Sequence, residues 1–174
     1  MYIYRQSIFF IYLTITAVLV ISDQLSKAYI AANYIYLYPV EINSWLNFTW
    51  INNSGAAFSL LSDMGGWQRW FLSTISFLAS IYIIIYLAIT EKNQKLLQIA
   101  LTLILAGAVG NLIDRVVLGH VIDFISVHYN NKYFFPTFNI ADTCISVGAI
   151  FLTVYWFTDC FSQKKRTKWR DIAK

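Results

Sequence analysis

The sequence predicts a membrane protein, mainly α-helical, with four transmembrane helices and a small extracytoplasmic β-sheet cradle. Of its 174 residues, 58% are hydrophobic, 18% aromatic and only 13% charged, whereas a soluble domain is about half apolar and about a quarter charged. The apolar residues also collect into stretches long enough to cross about 30 Å of hydrocarbon at about 1.5 Å per helical residue. A third observation concerns chemistry. Asp23, Asp114, Asp123 and Asp142 lie in or beside those stretches, where a carboxylate costs several kcal/mol unless it is paired, hydrated or protonated.

The first helix is expected at about residues 8–28, apolar through Ile21 and then polar at Ser22, Asp23, Gln24, Ser26 and Lys27. Its short apolar run after Arg5 has the look of a cleavable signal peptide. No small-x-small site follows, and Asp23 with Lys27 continue the same helix, so the helix is expected to be retained. The loop after it reads as short strands at 34–38, 45–51 and 56–61. These are rich in aromatic and β-branched residues and punctuated by Pro39, Asn43 and Asn52-Asn53-Ser54-Gly55. A sheet so aromatic is expected to rest on the lipid surface. The second helix spans about 70–89. The third, about 96–117, ends in Gly110-Asn111-Leu112-Ile113-Asp114-Arg115, and the fourth, about 141–161, opens with Asp142 before a basic tail at 162–174. No internal repeat divides the chain, so residues 1–174 form a single domain. Cys144 and Cys160 lie about 24 Å apart along the fourth helix, too far to bridge, and are read as packing residues.

Basic residues set the orientation. Arg5 precedes helix one, Lys92 and Lys95 lie between helices two and three, and Lys164, Lys165, Arg166, Lys168, Arg170 and Lys174 follow helix four. The long first loop, from about Tyr29 to Gly66, has no Lys or Arg, and the third carries only Lys132. Both termini are therefore expected in the cytoplasm and both longer loops outside. The net charge of +4 comes from the tail; it is a topology signal, and no nucleic-acid partner is expected. With this topology Asp23, Lys27, Asn111, Asp114, Arg115, Asn139 and Asp142 converge at the outer membrane surface.

Two carboxylates a few ångströms apart share a proton. One then serves as general base toward water and the other as general acid toward a carbonyl oxygen. Asp123 and Asp142 are the expected pair, because they flank one loop long enough to fold back. Plainer roles remain open. Asp142 suits the N-terminal dipole of its helix; Asp114 pairs with its neighbour Arg115; Asp23 pairs with Lys27 at i, i+4 in the favourable order. His120 and His128 form no HExxH pattern and read as polar loop residues, so no metal or cofactor is expected. Rival classes are a small proton-coupled transporter or channel, whose aspartates would step through the bilayer as a relay, and an intramembrane protease of another aspartyl type, with its acids deeper on two facing helices.

Five blocks carry a family resemblance: Ser22-Asp23-Gln24-Leu25-Ser26-Lys27, Asn53-Ser54-Gly55-Ala56-Ala57-Phe58-Ser59, Gly107-Ala108-Val109-Gly110-Asn111-Leu112-Ile113-Asp114-Arg115, Gly119-His120-Val121-Ile122-Asp123-Phe124-Ile125 and Phe138-Asn139-Ile140-Ala141-Asp142. In this order and spacing the chain resembles the lipoprotein signal peptidase family, also called signal peptidase II. Ala108, where Gly is frequent, and His120 are mild departures. The resemblance implies an aspartyl endopeptidase of the bacterial inner membrane, with four transmembrane helices and no metal. Its implied reaction removes signal peptides from prolipoproteins, cutting before a cysteine that carries diacylglyceryl. It places the catalytic residues at Asp123 and Asp142. Supporting or substrate-binding positions fall on Asp23, Lys27, Asn53, Gly55, Asn111, Asp114, Arg115, Asn139 and Ala141. It further implies inhibition by globomycin. A single copy in contact with membrane lipid is expected to be the working form.

Overall fold

A computed structural model describes residues 2–55, 65–130 and 132–172, with side chains described for 8–55, 65–130 and 132–160. The elements are α1 (Tyr2–Asn33), β1 (Val40–Asn43), β2 (Leu46–Asn53), α2 (Trp67–Ile89), α3 (Lys95–Val117), β3 (Val121–Tyr129), β4 (Tyr133–Phe134) and α4 (Ile140–Ile172). Among the described residues, four segments are long and apolar enough to cross a membrane: Ile8–Asn33, Trp67–Ile89, Lys95–Val117 and Ile140–Cys160.

The bundle is organised around α3, which packs against α1, α2 and α4. Its Leu97, Leu101 and Leu105 are buried with Ile83 and Leu87 of α2, and Phe9, Tyr12, Leu13, Leu152 and Tyr155 close around them. The other helices turn large apolar side chains outward, among them Phe10 and Leu25 on α1, Phe77 and Leu78 on α2, and Ile150 and Trp156 on α4. Lipid offers these side chains an environment as apolar as the bundle interior, so helix association rests on close packing. Gly107 and Gly148 supply it: a Cβ on either would strike α3 or α4 backbone across the seam.

The sheet is antiparallel in the order β1-β2-β3-β4. The strand expected at 45–51 is β2, while the run at 34–38 is not a strand. Helix α1 continues five residues past the expected Ala28, with Ile30 buried, and Leu37 then turns the chain at φ 62 before Pro39. Only Tyr36 pairs, in an isolated bridge to Trp50. The strand expected at 56–61 lies outside the described residues. Sequence reading missed β3, the sheet's longest strand, in which His128 is buried against Asn47 at 3.1 Å and is no loop residue. Cys144 packs as expected, whereas Cys160 is exposed. The helical backbone of α4 runs on into the basic segment, to Ile172.

Strand β3 also returns the chain to the bundle. The Phe138 carbonyl accepts N–H groups from Phe124 at 3.0 Å and Ile125 at 2.8 Å, and the Phe138 N–H donates to the Ile125 carbonyl at 3.1 Å. This bridge places Asn139 and the first turn of α4 beside Asp123.

Candidate active site

Asp142 occupies the third position of α4, and its local sequence explains why. Asn139, immediately before the helix, accepts the Asp142 N–H on Oδ1 at 2.8 Å, while Asp142 Oδ2 accepts the Asn139 N–H at 3.3 Å. This is a reciprocal capping box with Asp in place of Glu. The early-turn role considered for Asp142 is therefore real, and it still leaves the residue partly exposed. Asn111 of α3 donates to Asp142 Oδ1 at 2.7 Å.

Asp123 lies on β3, opposite Ile51 of β2, and is only 2% exposed. Asn139 Nδ2 donates to its Oδ1 at 2.7 Å, and Asn53 Nδ2, from the end of β2, donates to its Oδ2 at 2.9 Å. Asn139 thus holds both acids, one through its side chain and one through its cap. Burial, with the charge of Asp142 second, raises the Asp123 carboxyl to about 7; the hydrogen bonds from Asn53 and Asn139 and the charge of Lys27 oppose that rise.

Beneath the two acids lies a buried ionic cluster. Lys27 Nζ contacts Asp23 Oδ2 at 2.7 Å and Asp114 Oδ2 at 2.8 Å, with all three side chains at most 3% exposed. It also donates to Asn111 Oδ1 at 3.1 Å, so its three protons meet three acceptors. Removing one partner of such a cluster costs about 3–5 kcal/mol, because an uncompensated charge stays buried. The Asp23–Lys27 pair follows the i, i+4 expectation, but two corrections apply. Asp114 pairs with Lys27 across two helices and not with Arg115. Asp23 and Lys27 also sit inside α1 rather than at its end, Asp23 about 15 Å before Asn33 at the usual helical rise.

Arg115 instead donates to the Gly55 carbonyl at 3.1 Å, and Gly55 N–H donates to Asn53 Oδ1 at 2.9 Å. The link ties the end of β2 to α3. The Ala141 N–H donates to Asp23 Oδ1 at 2.8 Å. The expected catalytic and supporting residues thus fall within one connected region.

Two contributors escaped the sequence reading. Gln24 Nε2 reaches Asp114 Oδ1 at 2.8 Å and the Gly110 carbonyl at 3.1 Å. Arg69, in the first turn of α2, donates from Nε to the Arg115 carbonyl and from NH2 to the Val116 carbonyl, both at 2.7 Å. It satisfies carbonyls that the α3 terminus leaves open, where a cation is also favoured by the dipole. The available signal was an arginine opening an otherwise apolar span.

The sequence profile of the Signal peptidase (SPase) II family matches residues 15–158. The lipoprotein signal peptidase of Pseudomonas aeruginosa (strain UCBPP-PA14) is 45% identical over 155 residues, covering 88% of this chain and 89% of its own. That of Acinetobacter baumannii (strain ATCC 17978) is 44% identical over 158 residues, covering 91% and 88%. A bacterial membrane enzyme solved by the in meso method at 2.3 Å resolution superposes with a TM-score of 0.76 at 31% identity, over 86% of this chain and 88% of that one. A second, at 1.9 Å, gives 0.72 at 34% identity over 85% and 93%. With the profile spanning most of the sequence and its near relatives matching almost end to end, the chain belongs to the signal peptidase II family.

Proposed function

We propose that the chain is a membrane aspartyl endopeptidase that removes signal peptides from prolipoproteins, cutting before a diacylglyceryl-modified cysteine, with Asp123 and Asp142 as its acid–base pair. One observation carries the assignment of residues: Asn139 holds both carboxyl groups, one buried and raised to about 7, the other partly exposed at a helix N-terminus. Unequal environments of this kind assign acid and base. Asp142, as carboxylate, takes a proton from water as its oxygen attacks the scissile carbonyl carbon. Asp123 gives its proton to the carbonyl oxygen. Collapse of the tetrahedral intermediate breaks the C–N bond; the proton held by Asp142 passes to the departing amine, and Asp123 recovers its own from the intermediate's hydroxyl.

The positive-inside pattern supports a cytoplasmic position for both termini, which sets the N-terminus of α4, and with it the acid pair, at the outer face. Acyl chains on a substrate cysteine reside in that leaflet. Exposed aromatic and aliphatic side chains outside the spans, including Tyr36, Leu37, Tyr38, Trp45, Tyr133 and Phe134, suit contact with membrane lipid. A single copy holds every residue the scheme uses. The relay reading of a transporter fares worse, since Asp23, Asp114, Asp123 and Asp142 gather in one hydrogen-bonded region rather than stepping through the bilayer.

Incubation of the purified chain with a diacylglyceryl-modified prolipoprotein should release its signal peptide, and globomycin should block release. An unlipidated substrate cut equally well would exclude the lipid requirement. Turnover should also be bell-shaped in pH. The acid limb rises as the pair loses its first proton, and the alkaline limb falls above about pH 7 as Asp123 loses the proton it donates, at about tenfold per pH unit. Since Asn53 favours the charged form of Asp123, Asn53→Ala should move the alkaline limb upward. A limb that stays in place or moves down would take Asp123 out of the acid role.

A further inference from the structure

We infer that Lys27 is a positioning residue that couples the placements of the two proposed catalytic carboxylates through a matched pair of arms. In one arm Asp23 joins Lys27 Nζ at 2.7 Å and accepts the Ala141 N–H at 2.8 Å. In the other Asp114 joins the same Nζ at 2.8 Å and accepts the Ile122 N–H at 3.2 Å. Ala141 directly precedes Asp142, and Ile122 directly precedes Asp123. Each arm therefore fixes the backbone N–H of the residue just before one of the acids, and one ammonium joins the arms.

A third path runs from Lys27 Nζ to Asn111 Oδ1 at 3.1 Å and from Asn111 Nδ2 to Asp142 Oδ1 at 2.7 Å. The arms arise on different elements, α1 and α3, and act on different elements, α4 and β3. Nothing in local sequence would keep them in step; the shared ammonium does. Lys27 itself contacts neither proposed acid, so it acts through the backbone positions it fixes. A lysine that served only to neutralise two buried acids would stabilise the fold without linking the effects of its partners on turnover.

The inference rests on Asp123 and Asp142 being the acid–base pair, and a double-substitution cycle tests it. The purified full chain, with Asp23→Asn and Asp114→Asn made singly and together, is assayed for kcat on a diacylglyceryl-modified prolipoprotein, first with Lys27 intact and then in the Lys27→Met background. With Lys27 intact, the first substitution already slackens the opposite arm. The double loss should then fall short of the product of the single losses by about tenfold or more. In the Lys27→Met background the losses should multiply to within about threefold. Multiplicative losses in both backgrounds would overturn the coupling. Should the Lys27→Met proteins fail to fold, Lys27→Arg decides: it keeps the charge, but its planar fork cannot present three donors to these three acceptors. It should keep KM yet lower kcat per folded molecule at least about tenfold, consistent with a small displacement of reacting groups; an unchanged kcat would overturn the role. Asp123→Asn, assayed alongside, separates the two ideas. Its turnover would remove the acid–base pair, whereas multiplicative losses with an inactive Asp123→Asn would remove only the role of Lys27.

Discussion

Asp123→Asn and Asp142→Asn should each lower kcat by about 10³-fold or more while membrane insertion is kept. Proton transfer by a placed carboxyl group contributes about 10²–10⁴-fold, and an amide neither holds nor delivers that proton. Both substitutions are near-isosteric, so the surrounding bonds predict their structural cost. In Asp123→Asn the new Oδ1 still accepts from Asn139, but the amide faces Asn53 Nδ2, formerly a donor at 2.9 Å, with a donor of its own. In Asp142→Asn the strong bond from Asn111 at 2.7 Å survives, and only the longer contact from the Asn139 N–H at 3.3 Å becomes donor against donor. Asp123→Asn should therefore be the less stable of the two, by about 1–3 kcal/mol for a buried mismatched donor. Turnover by either variant above about a tenth of the parent rate would take that residue out of the acid–base scheme.

The bundle was legible in the sequence because span length and apolarity are local properties. Helices α2 and α3 begin within three residues of their expected starts and end where expected. The site was legible for another reason: polar residues at membrane depth are costly, so each one marked a position that needed a partner. Which partner was not legible. Asp114 has Arg115 beside it in sequence, but adjacent helical side chains diverge, and the cation it meets lies on another helix. Strand β3 carried its own signal in the β-branched and aromatic run Val121, Ile122, Phe124, Ile125, Val127 and Tyr129. The aspartate within that run drew attention to chemistry rather than to pairing. At 34–38 the composition was equally strand-like, yet the continuation of α1 and the left-handed turn at Leu37 prevailed over propensity.

Gly107→Ala should damage both stability and turnover, although one methyl group is all it adds. A Cβ there would run into the Ala141 carbonyl oxygen and stand 2.6 Å from Ile145 Cγ1. The first obstacle is backbone, so no rotamer change relieves it and α4 has to move off α3. Overpacking of this kind costs about 1–3 kcal/mol. The displaced turn contains Ala141, held by Asp23, and Asp142, and a shift of about 1 Å in a reacting group can cost about 10²-fold in rate. Gly148→Ala provides the contrast on the same helix seam. Its Cβ would stand 2.7 Å from Ile104 Cγ1 and 2.9 Å from the Ala100 carbonyl oxygen, but nearly two turns further from the acids. It should lower the unfolding temperature comparably and leave kcat per folded molecule within about threefold of the parent, as expected for packing damage away from the reacting groups. Equal kcat losses in the two variants would show that seam packing acts only through overall stability. A loss confined to Gly107→Ala would show that the close approach of α3 to the first turn of α4 is what holds Asp142 in register with Asp123.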